Sequence, residues 1–82
     1  MNSGMQQEFN LASGDTLVVE VAEKGDCLTV SQRIKTKSGF AASKTCTVTC
    51  HSTGKSYSWT CPDNKDCVGD CSDPKNPKGS CS

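Results

Sequence analysis

The sequence predicts an all-β protein: a small antiparallel sheet or sandwich of four to five strands, closed by a disulfide-stapled, irregular C-terminal loop. Three observations predict it. Apolar residues alternate with polar ones in short runs punctuated by Gly-containing turns. No stretch carries a helical apolar repeat longer than one turn. Seven cysteines are distributed over 82 residues of which only 33 % are hydrophobic. So little apolar surface barely offsets the entropy of ordering the chain, and domains of this size are usually stapled.

Taken in order, residues 1–8 are polar and Gly/Ser/Gln-rich and read as a disordered lead-in or cloning remnant. The antiparallel β domain is expected over 9–61. Phe9 and Leu11 alternate with polar neighbours, "SGD" turns the chain, and "TLVVEVA" is rich in the β-branched residues that favour strands. "EKGD" supplies the next turn, with Gly25 able to take positive φ, and "CLTVSQRIKT" the next strand. With Lys24-Gly25 at the hairpin tip, Val21 faces Leu28, Val19 faces Val30 and Cys27 falls opposite Ala22. One face is then apolar (Val19, Val21, Leu28, Val30, Ile34) and is expected to pack inward. The other is mixed (Val18, Glu20, Thr29, Ser31). After "KSG", the residues Phe40, Ala42, Cys46, Val48 and Cys50 all occupy even positions of a further strand. Residues 62–82 differ in kind, holding all three prolines and very few apolar residues. This Cys/Pro/Asp-rich tail cannot build a core and is expected to pack on the β domain through its cysteines.

The stretch "TCTVTCHSTGKSYSWTC", Thr45 to Cys61, invites two readings, a metal site or a disulfide-pinned hairpin. Zinc sites favour Cys-x2-Cys knuckles, and none occurs. "TCTVTC" is a poor helix, and on a strand Cys46 and Cys50 lie about 13 Å apart at about 3.3 Å per residue, too far to share an ion. Adjacent Cys50 and His51 point to opposite faces. A hairpin with Thr53-Gly54 at its tip instead sets Cys50 against Tyr57, Val48 against Trp59 and Cys46 against Cys61. Directly opposed Cβ atoms lie about 4.5–5.5 Å apart, so Cys46–Cys61 is the predicted disulfide. The partners of Cys50, Cys67 and Cys71 are not fixed by sequence. Seven cysteines cannot all pair intramolecularly, and Cys27 and Cys81 are the candidates for the free thiol. Tyr57 and Trp59 share a face, either as core or as a platform for a sugar ring or peptide.

Composition narrows the function classes. Formal net charge is zero with lysines scattered among aspartates, which excludes the basic stripe of a nucleic-acid binder. The longest apolar run is Leu17-Val18-Val19, so no segment is predicted to span a membrane. The N-terminus has no apolar h-region, and the cysteine density fits a secreted or periplasmic domain whose signal peptide is not in this chain. A cytoplasmic protein with reduced thiols is the alternative. His51 is the sole candidate neutral base, and a dyad with adjacent Cys50 fails because neighbouring strand residues diverge, so no enzyme is expected. Asp63, Asp66, Asp70 and Asp73 do not follow a calcium-loop pattern and read as turn formers. No cofactor is predicted. The expected function is a non-catalytic binding or interaction module for a protein or carbohydrate ligand, with a disulfide-linked dimer possible through the unpaired cysteine. Its alternatives are a zinc-binding protein using Cys67, Cys71 and Cys81, or a thiol carrier.

Overall fold

The computed structural model describes residues 3–82. It is all-β and antiparallel, and contains no helix among those residues. The strands are β1 (Ser3–Asn10), β2 (Thr16–Lys24), β3 (Cys27–Thr36), β4 (Gly39–Phe40), β5 (Ser43–Cys50), β6 (Ser56–Pro62), β7 (Cys67–Asp70) and β8 (Lys78–Cys81). The main sheet runs β1-β2-β3-β5-β6, with the two-residue β4 on the far end of β3; β7 and β8 form a separate two-stranded sheet.

Three local features depart from the sequence reading. Residues 3–8, expected as a lead-in, belong to β1 and pair with β2 along its whole length, from Ser3↔Glu23 to Asn10↔Thr16. Residues 1–2 lie outside the described residues. The ladder follows from a tight turn that returns the chain at once: Leu11 N–H donates to Asp15 O at 2.8 Å, and Gly14, at φ 91°, donates to Leu11 O. A Gln-rich segment is a weak strand former on its own, but it pairs here because β2 offers a long β-branched edge.

The β2–β3 hairpin turns at Gly25-Asp26, with Lys24 opposite Cys27, Val21 opposite Val30 and Ala22 opposite Thr29. This register is two residues from the expected one. The β5–β6 hairpin is also shifted by two, so that Cys46 faces Trp59, Val48 faces Tyr57 and Lys44 faces Cys61. Its connection is not a two-residue turn. Cys50 N–H donates to Lys55 O and Gly54 N–H to Cys50 O, leaving four residues between the closing pair. Asp26 holds that loop from the neighbouring hairpin, its carboxylate accepting from Ser52 N–H at 2.8 Å and Ser52 Oγ–H at 2.7 Å. Because strand side chains have period two, a shift of two keeps every residue on its expected face.

The face that forms the core is the surprise. The buried side chains are Val18, Cys46, Val48, Cys50 and Cys61. The registers place all of them on the face shared with Glu20, Thr29, Ser31 and Arg33, the one expected to be mixed. The apolar face of β1–β3, carrying Met5, Phe9, Leu17, Val19, Val21, Leu28, Val30 and Ile34, has no second layer over it. Met5 is 61 % and Phe9 47 % exposed. The cysteines decide this outcome. β7 and β8 are tethered to the face that carries Cys46, Cys50 and Cys61, and whatever lies under them is buried.

Candidate functional site: the stapled face and its groove

Three disulfides fix the tail to the sheet: Cys46–Cys67, Cys50–Cys71 and Cys61–Cys81. The predicted Cys46–Cys61 bridge is therefore wrong. The four-residue loop moves Cys61 opposite Lys44, and each strand cysteine reaches up to the tail instead of across to its neighbour. The spacing 46/50 matches 67/71, so β7 lies over β5 with two rungs at the same four-residue interval. Cys67 and Cys81 pair across β7–β8, as do Gly69 and Gly79. Alternation then aims both glycines at the sheet. A Cβ on Gly69 would lie 2.6 Å from Val48 Cγ2, and one on Gly79 would run into the Trp59 ring. Backbone thus sits directly on Val48 and Trp59, a distance only glycine permits.

Trp59 is consequently part of the packing under β8, and its Nε1–H donates to Ser80 O at 3.1 Å. Tyr57 stacks beside it, ring centroids 5.6 Å apart, and is itself 46 % exposed. Trp59 is thus taken up in packing, and of the two rings only Tyr57 stays open. His51 sits exposed in the β5–β6 loop with Nε2 3.7 Å from Glu23 Oε1. The tail aspartates shape turns: Asp70 accepts from Ser72 N–H and Asp73 from Lys75 N–H, while Asp63 meets Arg33 at 3.5 Å. The Ser72 hydrogen bonds, from backbone first and side chain second, hold the Asp70 carboxyl below its ordinary pKa.

Cys27 carries the free thiol; Cys81, the other candidate, is bonded to Cys61. Cys27 stands opposite Cys50 on the buried side of the sheet, away from the open apolar face. Alkylation of the native protein without reductant is expected to label Cys27 alone, and all seven cysteines after reduction in denaturant. Intact mass counts both states, and more than one label on native protein would contradict the pairing. The sulfurs proposed for zinc, Cys67, Cys71 and Cys81, each belong to a different bridge. Among the described residues one sulfur cluster does form, with Cys46, Cys61 and Cys67 within 4.8 Å of one another. In the oxidised chain it is two neighbouring disulfides, which present no thiolate to a metal.

Beside the staple, between β7 and the β1–β2 end of the sheet, lies a groove of about 470 Å³. Gln6, Glu20, Ala22, Thr29, Ser31 and Lys44 line its floor, with Asp66 and Cys67 on the tail side and Met5 and Val21 at its margin. Lys44 is only 8 % exposed. Sequence reasoning missed this groove. Its signal was a lysine at an even position of an otherwise apolar and cysteine-bearing strand face, in line with Cys46, Val48 and Cys50. Arg33 stands on the same face of the sheet as the groove floor. It pairs with Glu20 at 3.2 Å and Asp63 at 3.5 Å, and stacks 4.0 Å over Phe40.

These features define a small disulfide-stabilised all-β protein, whose C-terminal tail is stapled over one face of an antiparallel sheet. No family model, curated protein or solved structure matches the chain. Among the described residues, no helix is long and apolar enough to cross a membrane.

Proposed function

We propose that this chain is a non-catalytic binding module of an oxidising compartment, secreted or periplasmic, and that its working surface is the open apolar face of β1–β3. Three intramolecular disulfides support the compartment, since such bridges persist where thiols are not kept reduced. The observation that carries the binding reading is the asymmetry of the sheet. One face is covered by the tail, whereas the other leaves Met5, Phe9, Leu17, Val19, Val21, Val30 and Ile34 without a second layer, interrupted by Gln7 and Gln32 on either side of Val19. Uncovered apolar surface of this kind marks an interaction site.

The occupant is a second copy of the chain. The only charged residue that the register places on this stripe is Glu23, at the hairpin end and beside His51. Net charge is zero. Two copies therefore meet without like-charge repulsion. Three strands about 4.8 Å apart and about 30 Å long give a footprint of about 430 Å² per copy. The pair of footprints, about 900 Å², falls below the roughly 1,000 Å² of a stable specific interface, so the dimer is weak and reversible. A two-fold axis over β2 superposes the stripes and leaves the Thr45, Thr47, Thr49 and Ser56, Ser58, Thr60 rows at the rim, where hydroxyls stay solvated. Cys27, on the other face, takes no part in this association.

Sedimentation velocity from about 1 to about 500 μM is expected to show a concentration-dependent shift from monomer to dimer under non-reducing conditions. Val19→Lys, at the centre of the open face, should abolish the shift while three disulfides and the far-UV spectrum are retained. A monomer at every concentration would rule out the second copy as occupant. An apolar dye that binds the wild type and not Val19→Lys would then point to a different apolar partner.

A further inference from the structure

We propose that the groove beside the staple is a binding site for an α-amino acid, with Lys44 taking the carboxylate and Asp66 the ammonium group. This site lies on the opposite side of the sheet from the apolar stripe and shares only its marginal residues Met5 and Val21 with it.

The starting point is the charge at Lys44. Its side chain is more than nine-tenths buried, between Cys61 on β6 and the tail above. Among the described residues, no carboxylate lies within 4.0 Å of its ammonium. A buried charge is costly unless it is paired or solvated. Lys44 lines the groove, whose open polar space gives its side chain access to solvent. The groove therefore presents a cation with unused donors, held in place by a rigid sheet position.

The remaining lining determines what fits. Glu20 already holds Arg33 at 3.2 Å, so its charge is largely met. Asp66 is exposed and fixed from both sides through its backbone, its N–H donating to Ser82 O at 2.8 Å and its O accepting from Ser82 N–H at 3.0 Å. Lys44 and Asp66 thus line the same groove with opposite charges and form no ion pair within 4.0 Å. A zwitterion completes both. A phosphate dianion would pair with Lys44 but would meet Asp66 and Glu20 with like charge, which costs affinity. A simple carboxylate would satisfy Lys44 alone. Thr29 and Ser31 hydroxyls and the Gln6 amide add hydrogen-bonding groups along the floor, and Ala22 offers an apolar contact for a small aliphatic side chain. A volume of about 470 Å³ admits such a molecule with water to spare.

The test uses the oxidised full chain and amide NMR titration with L-valine, acetate, isobutylamine and inorganic phosphate. L-Valine is expected to give saturating shifts at Thr29, Ser31, Lys44 and Cys67, with an affinity at least about tenfold above that of acetate or isobutylamine. Lys44→Met should lose about tenfold or more of that affinity. Because this residue is buried, Asp66→Asn supplies a second arm at an exposed position and should also weaken valine while leaving acetate unchanged. Absence of saturation with valine, equal binding of acetate and valine, or tighter binding of phosphate would each overturn the assignment. An effect of valine that persists in both variants would do the same.

Discussion

Complete reduction of the three disulfides is expected to release the tail and unfold the β domain with it. The bridges close segments with sequence separations of 21, 21 and 20 residues. Each such closure removes about 3 kcal/mol of denatured-chain entropy in the loop-closure account. Cys50–Cys71 gains somewhat less once Cys46–Cys67 is made, because only about eight residues and one bridge then separate its ends. The set still amounts to about 9 kcal/mol, comparable with the whole stability of a small domain. Packing cannot replace it. The buried side chains other than cysteine are Val18, Val48 and Lys44, and the stripe of β1–β3 contributes little while it faces water. Reduced protein, with thiols alkylated to prevent reoxidation, should lose amide dispersion and its cooperative thermal transition. A melting curve within about 5 °C of the oxidised form would show that the sheet stands without its staples. Single replacement of the Cys61–Cys81 pair by serine should be milder, about 2–4 kcal/mol, since two bridges still hold β7 over β5.

The chain carried its strands plainly and its layers poorly. Alternation in "TLVVEVA", "CLTVSQRIKT" and "TCTVTC" is a local property, so fold class, antiparallel pairing and the faces on which residues fall were legible. Register was not, because it depends on loop length, and Asp26 sets the β5–β6 loop from another hairpin through Ser52. Nor was the identity of the covered face. Hydrophobicity pointed to Val19, Val21, Val30 and Ile34, yet the covalent tether at Cys46, Cys50 and Cys61 drew the tail to the other side. Pairwise opposition suggested Cys46–Cys61 because it weighed neighbours within one sheet and not a second layer. The equal four-residue spacing of 46/50 and 67/71 was the signal for that layer, since two parallel runs at one spacing can be laced rung by rung. For the groove, Lys44 among cysteines and valine was the residue to question.

Gly79→Ala is expected to destabilise the oxidised protein by about 1–3 kcal/mol, through one contact. The new methyl would crowd three carbons of the Trp59 ring, Cε3, Cδ2 and Cζ3, closer than nonbonded carbons tolerate. Gly79 is not among the glycines with positive φ, so alanine carries no backbone strain there and the cost comes from crowding alone. The ring cannot retreat easily. It stacks on Tyr57, and its Nε1–H is engaged by Ser80 O. Strand β8 cannot lift freely either, because Cys81 ties it to Cys61 two residues further on. Trp59 is the sole tryptophan, so its fluorescence reports the change directly. The emission should move to the red together with a lower melting temperature. Replacing Trp59 by the smaller leucine in the Gly79→Ala background should recover part of the loss relative to the two single variants. Val68→Ala is the control, since Val68 lies on the outer side of β7, 42 % exposed, where substitution should stay within about 0.5 kcal/mol. An alanine at position 79 that changes neither emission nor melting would mean that β8 does not rest on the tryptophan ring, and that the disulfides alone hold the tail.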